Sequence, residues 1–562
     1  MELPYNQCLL KSLLEYIGTL DMNNLPPKQT IEAEAIYHIN AELKSANISR
    51  DKGQKYKLLT TLPPILIAVL VMKLYHVRLI SFADANTDPS YDPLGIYQSR
   101  GPGEGTYVTF DAEFYKIARA FNPSITTRDK KEFMEALRDI VDRVTISTDP
   151  DLIPVNNGIY NYKTNELLPF SPDVVFLNKS PVDFVLNAHN VTIYNPDDGT
   201  SWDVESWMAE LSDDPEVVDL LWKLLGAVLR PNVPWDKMVL LYSTQGNNGK
   251  GTLCEIMRQL LGQRAYASIS IAQSSKKFAL EPLLGASAII TDENSVGEFH
   301  SDLAGLKAIT TNDTIQVDRK FKQPINFRFH GLIVQCINDL PRTKDKSESF
   351  YRRQLTIPMT KCFTGMERKY IKADYLHRPD VLEYILWRVL TMNYYSLPEP
   401  AACRAILDEY REHNDPVRQF ALEILPQCKW DLLPFTFLYD LYKSWFQKNS
   451  PSGRVQGRNT FISDVMDLLP SLPDWSCPGK DVKIRSQNRM NEPEPLILQY
   501  DLMSWMNPVY AGIDPNRKCM PSLQDSYRGL QRVIPNALPS PTDNTVATTN
   551  FSPPERAEGK SE

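Results

Sequence analysis

The residues best suited to chemistry in this chain gather around Lys250. The segment MVLLYSTQGNNGKGTLCEIMRQLLG sets an apolar run, Met238 to Tyr242, before a turn of small and amide residues, a lysine, and an amphipathic stretch over 251–261. Small residues let backbone N–H groups approach phosphate oxygens, a helix start adds positive potential, and a lysine there reaches the β and γ phosphates. The candidate cradle is Gly246, Asn247, Asn248, Gly249, Lys250, Gly251 and Thr252. It departs from the strict pattern G-x-x-x-x-G-K-[ST], because Thr244 stands at the first glycine and Gly251 at the hydroxyl position. The hydroxyl of Thr252 therefore comes one residue late for the magnesium-ligand role. Alone, the segment also reads as a glycine turn before a helix.

A second piece follows 42 residues after Lys250, where GASAIITDEN runs from small and apolar residues into Asp292 and Glu293. A buried strand ending in two carboxylates suits ATP hydrolysis: the aspartate holds magnesium and the glutamate orients and deprotonates the attacking water. A third run, GLIVQCIND, ends in Asn338, whose amide can hold water beside a γ-phosphate. In SFYRRQLTIPM, Arg352 and Arg353 precede another apolar run. Arginine's permanent charge fits a finger that reaches a neighbouring subunit's nucleotide, and either of the two could serve. Each piece has a plainer reading, as a solvated acidic turn, a turn asparagine or a surface arginine pair; their order and spacing favour the set. Between them, TIQVDRKFKQPINFRF reads as a hairpin with strands at Thr314–Val317 and 324–329 and a charged tip at 318–322.

These residues need a large scaffold, and 562 residues supply one, with room for three or four domains. The 61 Lys and Arg against 69 Asp and Glu give a net charge of −8, which excludes a uniformly basic coat. Locally the balance reverses: residues 235–354 carry 16 basic against 12 acidic side chains. Hydrophobic residues at 42% and charged residues at 23% are globular proportions, and argue against both wholesale disorder and a membrane protein. The eight cysteines contain no C-x-x-C pair, so neither a zinc ribbon nor a disulfide framework is expected, and a cytoplasmic setting fits. The start lacks a signal-peptide pattern, and the strongest apolar stretch, 62–74, is shorter than the roughly 20 residues of a membrane span.

Along the chain, 1–100 reads as a mainly helical region with a break at Pro26-Pro27 and no chemistry of its own, its end (77–110) loop-rich and feeding short strands. A mixed α/β region follows over 101–200, with a hairpin turn at 156–158. Residues 201–235 form a helical collar or linker in which Asp213 and Asp214 are candidate caps. The α/β core takes 236–365, a helical segment 366–414, and a helix-and-strand module 415–510. That module carries Lys443, Lys448, Arg454, Arg458, Lys480, Lys483, Arg485 and Arg489, interleaved with Tyr442, Trp445, Phe446 and Phe461. Prolines, serines and threonines from 511 to 562 predict a largely disordered tail.

Taken in order, QGNNGKGT, IITDEN, LKAITTNDTIQVDRKFKQPINFRF, LIVQCIND and FYRRQLTIPM resemble a superfamily 3 helicase of the phage, plasmid and poxvirus primase-helicase branch. The resemblance extends to LIPVNNGIYNYKTNELLPFSPDVVF before the core and to DPVRQFALEILPQ and FLYDLYKSWF after it, about residues 110–500 in all. It implies a multidomain α/β protein: an AAA+-like core, a helical N-terminal region and a C-terminal winged-helix-like module. It further implies a homo-oligomeric ring, a hexamer, with ATP and Mg2+ between subunits. Lys250, Asp292, Glu293 and Asn338 would act on one subunit's nucleotide and Arg352 or Arg353 on the neighbour's, with Thr252 and Asp292 toward the metal. The hairpin would follow single-stranded DNA through Arg319, Lys320, Phe321 and Lys322, and Lys307, where the family has a lysine, would bind DNA, sense nucleotide or form a structural pair. The C-terminal module would read duplex DNA, and a primase or polymerase would be a partner; no membrane role is implied.

The leading expectation is an ATP-dependent DNA helicase for replication initiation of a phage, plasmid or other mobile element, working in the cytoplasm of a bacterial host or virus-infected cell. A bifunctional primase-helicase is the alternative, and would need carboxylates such as Asp84, Asp88, Asp92, Asp111 and Glu113 to cluster around metals. A DNA-packaging or remodelling ATPase, or a non-catalytic scaffold, comes from a different class. Intact Lys250, Asp292 and Glu293 argue against the scaffold, and the hairpin argues against packaging.

Overall fold

Five short apolar runs meet in one parallel sheet: β1 (Met238–Tyr242), β2 (Tyr266–Ala267), β3 (Ala288–Thr291), β4 (Leu332–Ile337) and β5 (Gln354–Pro358). Their order is β2-β3-β4-β1-β5, so β4 separates the strands that follow one another around the phosphate-loop segment. Side chains alternate between faces at period two. Val239, Leu241, Ile290 and Val334 enter one core, while Met238, Leu240, Ile289 and Ile333 enter another on the opposite face. Burial on both faces explains why Met238–Tyr242 and Ala288–Thr291 read as near-continuous apolar runs rather than alternating ones, while Gln335, Gln354 and Thr356 are buried polar residues within β4 and β5.

The computed structural model describes residues 4–22, 24–82, 88–294, 299–300, 303–320, 324–343, 345, 347–366, 368–449 and 455–533. They divide into two units, Met1–Asn414 and Asp415–Glu562.

In the first unit, helices Tyr5–Ile17, Lys28–Ala46, Pro64–Leu74, Asp111–Phe121 and Thr127–Ile140 share one apolar core with strands Val77–Ser81 and Leu94–Tyr97. Thr126 starts the last of these helices with a reciprocal capping box to Asp129. A domain boundary at residue 100 is corrected here. Val77–Ser81 and Leu94–Tyr97 pair with Tyr107–Val108 and Arg143–Thr145 in one four-stranded sheet, so the Asp, Pro and Gly residues of 88–93 and 98–106 mark connections between paired strands. A meander follows, Leu152–Val155, Gly158–Asn161 and Glu166–Leu168, turning tightly at Asn156 and Asn157. Helix Pro215–Val228 begins with Asp214 accepting the Glu216 N–H and Pro215 in its first turn. Asp213 is not a cap: it pairs with Lys361. A single apolar cluster runs from Ile153 to Cys403, joining the collar and the later helices Pro379–Leu390 and Ala401–Asn414 to one face of the sheet.

The second unit runs helix Pro416–Ile424, strand Leu432–Pro434, helix Phe435–Asn449, helix Arg458–Leu468, strand Trp475–Ser476 and strand Gly529–Arg532. The three strands form an antiparallel sheet with Gly529–Arg532 in the middle. For residues 511–533 this corrects the expectation of a largely disordered tail over 511–562. Leu530 is wholly buried, and Pro515–Lys518 is helical, because the polar, proline-rich surroundings hide a single strand whose partners lie far upstream. Residues 534–562 lie outside the described set. Among the described residues no helix is long and apolar enough to cross a membrane.

Candidate functional site

Ligands of open parallel sheets sit beyond the carboxyl ends of the strands, where neighbouring connections diverge. The sheet delivers its polar residues there. Beyond β1 the loop 243–249 leads into helix α1 (Lys250–Leu261); Asp292 follows directly on β3 and Asn338 on β4. Gly249, the residue before α1, has φ +85°, a left-handed conformation that a glycine adopts without strain, and Asn247 is at +53°. A Cβ on Gly246 would meet no atom within 4 Å, so the loop keeps open space over its backbone. Asn248 is buried and braces the loop by donating to the Gln245 carbonyl at 2.7 Å.

Lys250 is buried, and its Nζ donates to Asn338 Oδ1 at 2.6 Å, to the Ile337 carbonyl at 3.0 Å and to the Ser243 carbonyl at 3.3 Å. Burial pulls the ammonium below its ordinary range, while the Cys336 and Cys254 thiols act in the opposite direction. Asp292 is exposed yet engaged: Arg258, two turns along α1, holds its Oδ1 at 2.8 Å. Against the pull of burial, that bond to Asp292 raises the Arg258 guanidinium. Glu293 is exposed. Asn294 pins the acidic turn by donating to Gln335 Oε1 and the Cys336 carbonyl, both at 3.0 Å.

The two arginines differ. Arg352 is exposed, whereas Arg353 donates to the Ser349 carbonyl at 2.5 Å and to its hydroxyl, and its Nε is buried without a partner. Lys307 is paired with Asp345 at 2.6 Å. The hairpin forms as Thr314–Val317 against Ile325–Arg328, one residue shorter at each end of its second strand than the sequence suggests. Near its tip, the Lys320 N–H donates to Glu281 Oε2 at 3.4 Å, and burial lowers the Arg319 guanidinium. Phe321 and Lys322 lie outside the described residues.

Sequence reasoning missed one wall of the site. Residues 363–366 and 368–372 fold against the phosphate loop, with the Phe363 N–H donating to the Asn247 carbonyl at 2.8 Å and Asn247 donating to Thr364 Oγ1 at 3.2 Å. Together with Trp207 they enclose a cavity of about 450 Å³ that opens onto Asn247, Gly249 and Thr252 and is lined by Phe363, Met366 and Lys372. The Lys372 Nζ lies 3.8 Å from where a Gly251 Cβ would sit, above the first turn of α1. The cluster KYIKA, basic on a short helix (Lys369–Ala373), was the only sequence signal for it. The collar residue Trp207, far upstream, gave none.

Among the described residues the carboxylates of the primase alternative do not gather into a group of three. Asp92 is buried in an ion pair with Arg143 at 2.6 Å, Asp88 caps the turn at Ser90, and Glu113 pairs with Lys116. Asp84 lies outside the described residues. In the second unit, Arg458, Lys480, Lys483 and Arg528 line a groove of about 530 Å³ beside Thr436 and Tyr527. Tyr442, Trp445, Phe446 and Phe461 are not on that surface. They are core residues, stacked within the unit, so the aromatic interleaving seen in the sequence belongs to packing.

Comparison with known proteins follows the same division. Residues 104–214 match the family described as D5 N terminal like, 241–353 a family of unknown function (DUF5906), and 412–492 the family described as Poxvirus D5 protein-like. These matches support the superfamily 3 helicase branch that the motifs resemble. A protein of Frog virus 3 (isolate Goorha), 022R, named as a candidate helicase, is 24% identical, and the match covers 55% of this chain and 40% of that protein. The chain thus spans less than half the length of this relative of the branch. Two apo structures of the NrS-1 C-terminal region align at 12% and 13% identity, covering 72% and 79% of this chain and 86% and 92% of theirs, with TM-scores of 0.40 and 0.41. Superposition that loose transfers no residue role.

Proposed function

We propose that this chain is an ATP-driven DNA helicase acting in replication, assembled as a ring with nucleotide at subunit interfaces. One observation carries the proposal: Lys250 is hydrogen-bonded to Asn338 just past the carboxyl end of β4, Asp292 and Glu293 follow the neighbouring strand β3, and the glycine loop before Lys250 opens through Asn247 and Gly249 onto a cavity of about 450 Å³. That volume lies in the usual range for small-ligand pockets, ~300–1,000 Å³. Trp207, Phe363 and Met366 would take the base, and the loop amides, Lys250 and Lys372 the phosphates. Lys250 would leave Asn338 to do so. Thr252 and Asp292 are the residues that would hold magnesium, which would screen phosphate charge. Glu293, exposed at the end of β3, would take a proton from the attacking water. Arg352 is the better candidate for the neighbour's nucleotide, since Arg353 is committed to Ser349.

The family matches support DNA as the partner and replication as the setting. The hairpin, with Arg319 and Lys320, would follow single-stranded DNA. The helix Phe435–Asn449 and helix Arg458–Leu468 packed with the antiparallel sheet of Leu432–Pro434, Gly529–Arg532 and Trp475–Ser476 support a winged-helix reading. Its basic groove would meet duplex phosphates. A hexamer and a primase or polymerase partner belong to the same proposal, as does residence in the cytoplasm of a bacterial or virus-infected cell.

The deciding experiment is strand displacement on forked, 3′-tailed and 5′-tailed DNA with and without ATP. ATP-dependent unwinding of one tailed substrate is expected. DNA-independent ATPase with no unwinding on any substrate would sink the helicase reading and favour a packaging or remodelling motor.

A further inference from the structure

Directly beneath the phosphate loop lie three side chains that ATP hydrolysis does not require together. Cys254, one turn after Lys250 on α1, and Cys336, two residues before Asn338 on β4, are both buried, with their sulfurs 3.4 Å apart. An oxygen of Asp292, from the end of β3, joins them, and the three donor atoms lie within 4.8 Å of one another. Among the described residues this is the only such grouping of three His, Cys, Asp or Glu side chains.

We propose that Cys254, Cys336 and Asp292 form a binding site for a thiophilic divalent cation of the zinc class. Zinc bonds of about 2.3 Å to sulfur, arranged tetrahedrally, put two sulfur ligands roughly 3.8 Å apart, close to the separation found. A disulfide would need the sulfurs at about 2.05 Å and has no use for a carboxylate. The third donor therefore favours a metal over a cystine. Arg258 strengthens the case: its bond to Oδ1 fixes the carboxylate's orientation from outside, as hydrogen-bonded partners commonly do for metal-binding carboxylates. Binding exchanges two thiol protons for the cation, releasing both to solvent, with no change of oxidation state. The ion reaches the buried sulfurs from the side of Asp292, whose side chain is 43% exposed.

The consequence rests on the proposed ATPase reading. A cation bridging α1, β3 and β4 engages Asp292, the residue offered to magnesium, and ties together the elements that carry Lys250 and Asn338. Zinc-class ions then inhibit turnover reversibly.

Cobalt(II) reports thiolate ligation through its sulfur-to-metal charge-transfer absorption, and is added to the full chain purified reduced and metal-free. Wild type should show that band at one equivalent, and the Cys254→Ser/Cys336→Ser double variant, checked for an unchanged melting transition, should not. Single variants serve if the double variant melts early. Absence of the band in wild type, its persistence in a folded variant, or a mass loss of two hydrogens with no bound metal would overturn the site. Magnesium-dependent ATPase is followed in parallel. Inhibition by zinc that a chelator reverses, and that the double variant escapes, is expected; cobalt binding without inhibition would overturn the regulatory half. A metal-free wild type with no ATPase but an intact cobalt band would instead count against the ATPase reading.

Discussion

The ammonium of Lys250 donates to the side-chain oxygen of Asn338 across 2.6 Å, linking the first residue of α1 to the residue just past β4. A charged hydrogen bond of this kind contributes about 1.5–3 kcal/mol, which phosphate must outcompete. Lys250→Ala should abolish ATP turnover. Asn338→Ala should lower turnover while ADP binds as tightly as to wild type or up to about tenfold tighter, because the lysine no longer leaves a partner. Fluorescent-ADP titration beside steady-state ATPase separates the two; weaker ADP binding by Asn338→Ala would show that Asn338 contacts nucleotide instead of holding the lysine.

Arg352 and Arg353 are adjacent but should fail differently. Arg353→Ala removes the contacts to Ser349 and should lower the melting temperature. Arg352→Ala should leave melting unchanged and cut ATPase on the order of a thousandfold, the scale of an arginine finger. Mixing an Arg352→Ala/Arg353→Ala double variant with Lys250→Ala protein should restore part of the activity, since some mixed interfaces regain both halves. No recovery in verified mixed assemblies would rule out a shared site.

Lys372 and Trp207 line the cavity but lie outside every sequence motif. Lys372→Ala and Trp207→Ala should each raise the KM for ATP roughly tenfold, about 1.4 kcal/mol of binding, with little change in kcat. Equal losses in kcat and kcat/KM would mean that they act in the transition state.

Asp345 is held below the ordinary carboxylate range although burial pushes it up, because Lys307 and Ser347 donate to its carboxylate. A lowered folded-state value means that the unfolded chain takes up the proton first. The stabilisation is therefore complete above the unfolded value of about 3.9 and disappears as pH falls through the folded one. Lys307→Met should cost about 1 kcal/mol at neutral pH, with the gap to wild type closing below about pH 4. Denaturant unfolding from pH 3 to 7 measures it, and a gap that persists at pH 3 would assign the loss to packing.

Leu530→Asp should unfold the second unit, since it buries a charge in the middle strand of its sheet. Proteolysis should then cut within 415–533 and spare the first unit; an unaltered digestion pattern would contradict the central place of that strand.

Legibility followed locality. The strands at Met238, Ala288 and Leu332 were visible because a doubly buried strand leaves a near-continuous apolar run, and Asn156-Asn157 because a tight turn has its own residues. Lys250, Asp292, Glu293 and Asn338 stood out as candidates because each follows an apolar run, and of these the structure hydrogen-bonds Lys250 to Asn338. What stayed hidden depends on contacts between distant segments. Trp207 reaches the site through the collar, Arg258 through one turn of helix facing β3, and Gly529–Arg532 through partners upstream. Composition misled where it was averaged: a polar, proline-rich tail concealed a buried strand, and aromatic residues beside lysines were core.

That buried strand also sets an order of events during synthesis. Domains generally fold as the chain emerges, N-terminal part first. Every strand of the parallel sheet is complete by Pro358, so the candidate nucleotide site can close while translation continues. Leu432–Pro434 and Trp475–Ser476 must wait for Gly529–Arg532 to leave the ribosome before their sheet exists. A ribosome that stalls or terminates early would release a chain with its phosphate loop intact and its basic groove unbuilt.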